Sequence, residues 1–362
     1  MYYFIQGESY LPEEINMRKM TSKERVEATL NGELPDRVPV KEMAMIVMTK
    51  LAGAEWKDVR FDAKASAKIA CDYSAKVKTD FLMGCPEGNA MFMDLEMEWK
   101  LHDDNYCSIK GAYFVDPEDV DAKPLYDPRN KKECPYLWKG IAGKSEELFK
   151  TYKGDAMVGG ALWGPFTSAG FLRGVETMMM DLMLEPDIAK KAVKRGSEHS
   201  YKIIDMISDM GGDFFIMADP SASGDLINGP DYMEYVCAGA KRIADMVHSK
   251  DMYSLMHICG NSHTIIQEVP ETGIDGFSVD FMVDMGRAKE ELDGRCTLIG
   301  NVNPVALMWN GTPASIKADS DRIMKAAASG GKFMLGSGCE TPIETPLENI
   351  IALREAAESY RY

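Results

Sequence analysis

Eight short runs of β-branched and apolar residues recur along this chain, and over its C-terminal two thirds helical stretches separate them. That alternation marks a parallel sheet, because parallel neighbours have to be joined by long crossovers that are usually helices. The runs are Val38 to Glu42, Asp80 to Met83, Ala156 to Leu162, Asp213 to Ala218, Met252 to His257, Gly276 to Val279, Thr297 to Gly300 and Lys332 to Leu335. The second is the shortest on β-rich content. Helices are expected at Lys23 to Leu30, behind Thr21 or Ser22 as a cap, and at Pro186 to Met210, Pro230 to Ser249, Pro304 to Ser329 and Leu347 to Ser359. Eight strand exits carrying Gly or Asp favour closure into a (β/α)8 barrel over an open sheet. The whole chain, residues 1–362, reads as one such α/β domain with a short N-terminal extension. Residues 84–152 break the alternation with CPEGN, HDDNYCS, VDPEDVD and YDPRNKK, all rich in turn formers. They are expected to be an insertion after the second strand, folded over the barrel mouth as short strands and loops.

Composition narrows the partners. With 45% hydrophobic residues the chain can bury a large core, and a net charge of -16 without a dense Lys/Arg run argues against a nucleic acid or an anionic membrane. No apolar stretch approaches the roughly 18 residues that cross a bilayer. The start, MYYFIQGESYLPEE, lacks the basic opening of a signal peptide, so a cytoplasmic protein acting on small molecules or proteins is expected. Eight cysteines spread over so long a chain do not form a disulfide scaffold. Most are expected as small buried hydrophobes, and the 27 methionines as adaptable packing.

The strongest local chemical signal is His257-Ile258-Cys259-Gly260 at the end of the fifth run. In a (β/α)8 barrel the chemistry sits at the carboxyl ends of the strands. An imidazole and a thiol on one short loop are donors that suit zinc. Gly336-Ser337-Gly338-Cys339 offers a third donor after the last run, with glycines expected to let the backbone turn tightly. Three protein ligands with an open fourth position form a catalytic zinc site, whereas structural sites are closed by four. A buried histidine and two buried cysteines without metal is the competing reading, and the residues alone leave the two about even.

Beyond this pattern, the chain resembles the uroporphyrinogen decarboxylase superfamily over roughly residues 20 to 360. TSKERVEATLNGELPDRVPV matches that superfamily's opening helix, turn and first strand. The match is nearest to its methylcobamide:coenzyme M methyltransferase branch, through ADPSASGDLI, LMHICGN, GFSVD, LIGNVNP and GSGCETPIETPLENI. The resemblance implies a zinc enzyme with ligands His257, Cys259 and Cys339. It also implies a methyl group moved from a methylated corrinoid, brought by a carrier protein, to a zinc-bound thiol such as coenzyme M. One departure matters: Lys41 to Trp56 reads KEMAMIVMTKLAGAEW, with none of the arginines by which the decarboxylases grip porphyrinogen carboxylates. Porphyrinogen decarboxylation is therefore not expected.

Around the metal, Asp219 and Asp280 leave the fourth and sixth strands. Each is a candidate to orient His257 or to act as a labile fourth ligand, with a helix cap or loop hydrogen bond as the alternative. Asn301 and Asn303 are candidates for the same rim, and Glu340 is a weaker one. His263 is assigned to the helix after the fifth strand and left out of the site; His102 and His199 carry no pattern. Two other activities stay open: a donor-side enzyme that demethylates a methoxy or methylamine-type compound onto cobalt(I), and a non-catalytic metal- or corrinoid-binding protein. Tetrahydrofolate also stays open as an acceptor.

Overall fold

In the computed structural model, which describes residues 19–362, eight parallel strands share one sheet. They are β1 (Val40–Lys41), β2 (Phe81–Met83), β3 (Met157–Trp163), β4 (Phe214–Ala218), β5 (Tyr253–Ile258), β6 (Gly276–Val279), β7 (Thr297–Val302) and β8 (Phe333–Ser337). Their order, β1-β8-β7-β6-β5-β4-β3-β2, is that of a (β/α)8 barrel, with α-helices between successive strands except β5 and β6, which turns and a short 3-10 segment, Val269–Thr272, connect. The expected N-terminal extension lies mostly outside the described residues.

Both sheet faces are covered, which is why the strands read as nearly continuous apolar runs. Phe81, Met83, Met157, Phe214, Ile216, Leu255, Ile299 and Met334 fill the bore. The first helix, α1 (Ser22–Leu30), adds Val26 and Leu30 to that cluster and so plugs the end of the barrel opposite the strand exits. Its start is fixed by a capping box in which Thr21 and Glu24 bond each other's backbone.

At the seam between β1 and β2 a buried carboxylate spans the gap. Asp80, fully buried, accepts hydrogen bonds from the Val40 amide at 2.8 Å, from Arg37 at 2.7 and 2.9 Å, and from Arg25 at 2.8 Å. Strand β1 is shorter than the run Val38 to Glu42 because Pro39 has no N–H to donate, although its carbonyl still accepts from Leu335.

The run read as one helix from Pro304 is broken. A single π-type turn, Pro304–Trp309, stops near Gly311, and a new helix, Pro313–Ala327, starts behind Thr312 as cap with Pro313 in its first turn. Pro230 to Ser249, by contrast, is helical almost end to end, with a π-type turn at Tyr232–Cys237 leading straight into the helix Ala238–His248. Within residues 84–152 an antiparallel hairpin pairs Glu98–Lys100 with Ser108–Lys110 among short helical turns, and Gly143–Thr151 is the crossover helix that leads into β3. This segment touches the strand exits: Trp163, the last residue of β3, donates its indole N–H to Asn89 at 2.8 Å. Among the described residues no helix is long and apolar enough to cross a membrane.

Candidate metal centre

Strand β5 carries His257 into the bore end, and the chain turns directly after it. Gly260 adopts φ +76°, and a Cβ there would lie 2.4 Å from the Asp225 carboxylate, so only glycine lets the loop turn behind Cys259. Strand β8 delivers Cys339 two residues past its end. Its glycines serve close approach, not a left-handed turn: a Cβ on Gly336 would lie 2.4 Å from the Lys41 carbonyl, and one on Gly338 would lie 2.5 Å from the Phe281 amide. The chain does bend at Gly338 and Cys339, as expected at this exit. Neighbouring backbones crowd the segment and fix where Cys339 emerges.

The structure brings the three expected ligands together. His257 Nε2 lies 3.1 Å from Cys259 Sγ, and Cys259 Sγ lies 3.3 Å from Cys339 Sγ. The donor atoms all fall within 4.8 Å of one another. Zn–S bonds of about 2.3 Å at a tetrahedral angle place two sulfurs about 3.8 Å apart. The observed trio is thus slightly tighter than a zinc site and of matching shape. His257 is buried and both cysteines are half-buried, so the cluster keeps one open side.

Orientation of the imidazole comes from a residue that was not anticipated. His257 Nδ1 lies 3.1 Å from both the carbonyl oxygen and the hydroxyl of Ser278 on β6. A carbonyl can only accept, so Nδ1 carries the proton and the Nε2 lone pair faces the thiols, as a metal ligand requires. The sequence signal was faint: a small polar residue two positions before Asp280, on the same face of its strand. Between the thiols one proton is shared. Cys339 is pushed well below the usual thiol range by the Cys259 S–H and by His257, and Cys259 is pushed up in return. A cation at this point would release that proton.

The remaining candidates fall into different places. Asp219 is fully buried, but its carboxylate accepts the Phe166 and Thr167 amides at 3.2 and 2.6 Å, at the start of the helix Pro165–Arg173. Only its backbone meets His257, donating to that carbonyl at 2.8 Å. Burial pushes its carboxyl up to about 6. Asp280 accepts the Met282 amide at 3.1 Å and lies within electrostatic range of Cys339 and His257; burial raises it also. Asn301 is buried and donates to the Asp280 and Val283 carbonyls, both at 2.8 Å, thereby holding the loop that carries Asp280. Asn303 caps the following turn through the Val305 and Ala306 amides. His263 sits in irregular turns, not in a helix, between Glu291 and the Asp284 amide. His199 is packed at the foot of the inserted segment on the Met91 carbonyl, and His102 bonds Ser108 in its hairpin.

Beside Cys339 lies a second group of buried charges. Glu340 accepts the Met45 and Ile46 amides with Oε1 at 2.9 and 3.1 Å. Its Oε2, the Lys41 ammonium and Glu42 Oε2 have no hydrogen-bond partner among the described residues. Burial pushes the Glu340 carboxyl up to about 8 and the Lys41 ammonium down to about 8.

Comparison with known proteins adds the following. The family described as "Uroporphyrinogen decarboxylase (URO-D)" matches residues 21–360. The methylcobamide:CoM methyltransferase MtbA of Methanosarcina acetivorans is 27% identical over 96% of this chain and 100% of its own. The methylcobamide:CoM methyltransferase MtaA of Methanosarcina barkeri is 26% identical over 95% of this chain and 99% of its own. A solved methyltransferase from Methanosarcina mazei has the same fold, with a TM-score of 0.81 at 24% identity, covering 93% of this chain and 98% of that one.

Proposed function

This chain belongs to the uroporphyrinogen decarboxylase family, and from that premise we propose that it is a methyltransferase that moves a methyl group from a methylated corrinoid to a small thiol held on zinc. The observation that carries the reading is the open cluster of His257 Nε2, Cys259 Sγ and Cys339 Sγ at the strand exits. Two relatives that span nearly the whole chain bear names specifying a methylcobamide donor and a CoM acceptor. The absence of arginine from Lys41 to Trp56 speaks against the porphyrinogen substrate of the decarboxylases.

His257, Cys259 and Cys339 would hold the metal, and Ser278 would keep the imidazole in the required tautomer. Zinc, when bound, supplies the Lewis acidity that keeps an acceptor sulfur as thiolate at neutral pH. The thiolates of Cys259 and Cys339 would offset the charge of that cation. In the transfer the S–C bond forms as the Co–C bond breaks, the electron pair of that bond stays on cobalt as cobalt(I), and the thiol proton leaves to solvent. The half-buried cysteines leave room for the acceptor on one side, while the bore below is packed with apolar side chains that exclude water. The barrel's part is positioning more than acid–base chemistry. The corrinoid would arrive on a carrier protein at the mouth, where the inserted segment and the strand-exit loops lie. Asp280, in electrostatic range of the cluster, is the better placed of the two aspartates to act on it.

The test is direct. The protein as purified should carry about one zinc per chain, and mixing it with methylcobalamin and thiols such as 2-mercaptoethanesulfonate should produce cobalt(I) by absorbance. Cys259→Ala should lose both the metal and the reaction. Methylation of cob(I)alamin by a methoxy or methylamine compound, with no thiol-dependent demethylation, would replace this reading with the donor-side one. Transfer to tetrahydrofolate alone would displace the thiol.

A further inference from the structure

A cavity of about 660 Å³ opens at the end of the barrel opposite the metal ligands. Arg37, Thr79 and Asp155 line it, and these stand just ahead of β1, β2 and β3, so it lies on the face where the strands begin. Its volume suits a small molecule.

The chain as a whole carries a net charge of -16, yet this cavity is cationic. Arg25 and Arg37 in its wall are matched by Asp36 and Asp80, and Arg354 donates to Glu358 at 2.6 Å. Lys19, Lys78 and Lys153 also line it; all three are exposed and form no ion pair among the described residues. Asp155 alone remains to oppose them, so three lysines less one aspartate leave two positive charges unmatched. Arg354 is not fully committed to Glu358 either, since its Nε is buried without a hydrogen-bond partner among the described residues. Ser22, the first residue of α1, faces the same space and brings the positive end of that helix to it.

Each lysine alone would be an ordinary solvated charge. The fold draws two of them to one rim. Ser74, one turn before Lys78, and Tyr152, directly before Lys153, join their hydroxyls at 3.0 Å. The Lys23 amide donates to the Asp155 carbonyl at 2.8 Å and ties the start of α1 to the same segment. A carboxylate would neutralise one of the two unmatched charges. A phosphate monoester carries roughly two negative charges at neutral pH and neutralises both from one group. Its organic part then has the rest of the cavity, beside Met20, Ala75 and Tyr152.

We propose that this cavity binds a small phosphorylated molecule, with Lys78 and Lys153 facing its phosphate. The occupant braces α1, whose Val26 and Leu30 plug the bore, and it does so without touching the metal centre. The proposal stands apart from the methyl-transfer reading.

Calorimetry on the zinc-loaded full chain, at constant ionic strength, tests it with ribose 5-phosphate, AMP, inorganic phosphate, sulfate and citrate. At least one of the two esters should bind about tenfold more tightly than sulfate or citrate, and Lys78→Gln combined with Lys153→Gln should weaken it by about tenfold or more. Lys64→Gln, at the other end of the helix Ala63–Val77, should leave the affinity unchanged. The better ester at a hundred times its Kd should raise Tm by about 2 °C or more, a rise absent from the double variant. Zinc content should be the same throughout. Binding that the wild type and the double variant share equally overturns the proposal, as does no binding by either ester. Sulfate or inorganic phosphate matching the esters would reveal a bare-anion site, and citrate binding most tightly would replace phosphate by carboxylates; either result overturns the assignment.

Discussion

At the scale of single residues, the imidazole of His257 is the pivot of the metal centre, and Ser278 decides which way it faces. Two acceptors on one residue share the Nδ1 proton, a backbone carbonyl and a hydroxyl, both at 3.1 Å. Ser278→Ala removes the hydroxyl and leaves the carbonyl, so it should weaken zinc binding by about tenfold, the low end for loss of such a partner. A chelator competition measures this, and an unchanged zinc affinity would show that the carbonyl alone orients the ring. The ligands themselves were legible from the H-x-C pattern and from a cysteine at a second strand exit, because both lie in loops set by the ends of apolar runs. Ser278 was less legible, since its role depends on which face of a strand is the bore. Asp219 shows the converse. An aspartate at a strand exit looks like an active-site group, but two amide donors 53 and 52 residues away in sequence claim its carboxylate.

Among the elements, the strands were the most legible, because burial on both faces writes itself into the sequence as apolar runs. The helices after β4 and β7 were harder. After β7 the apolar periodicity continues past a break near Gly311, and after β4 the helix runs on through a π-type turn at Tyr232–Cys237. The seam between β1 and β2 was not legible at all, since it is made by one side chain. Asp80 satisfies the Val40 amide and two guanidinium groups with a fully buried carboxylate. Asp80→Ala should therefore destabilise the fold by about 3 kcal/mol or more, by stranding buried positive charge. Asp36, also bonded to Arg25, is partly exposed, and Asp36→Ala should cost clearly less. Chemical denaturation compares the two. A loss below about 1 kcal/mol for Asp80→Ala, within the range of an exposed pair, would mean that the seam is held by the flanking strands instead.

For the molecule as a whole, the inserted segment and the barrel are joined through a histidine that cannot readily take a second proton. His199, on the long helix Pro186–Ser208, is 1% exposed. Its Nε2 donates to the Met91 carbonyl at 3.0 Å, and its ring packs against Tyr126 and Phe92. Burial lowers it from 6.5 to about 4, because charge in that apolar contact is desolvated. A depressed histidine contributes stability that is present above its unfolded value of about 6.5. That stability is lost as pH falls through the folded value. The shift corresponds to about 3 kcal/mol at full protonation. Acidification from pH 6.5 toward 4 should loosen the inserted segment from the helix face, with proteolysis near residues 84–142 rising before global unfolding. His199→Phe keeps the ring packing and cannot titrate, so it should move the acid midpoint to lower pH even if the lost Met91 hydrogen bond reduces stability at pH 7. If wild type and His199→Phe lose structure at the same pH, acid sensitivity must arise elsewhere. The bonded thiols of the metal centre provide an internal check, since zinc loss at low pH adds its own step. Excess zinc should shift that step and leave the His199 step in place.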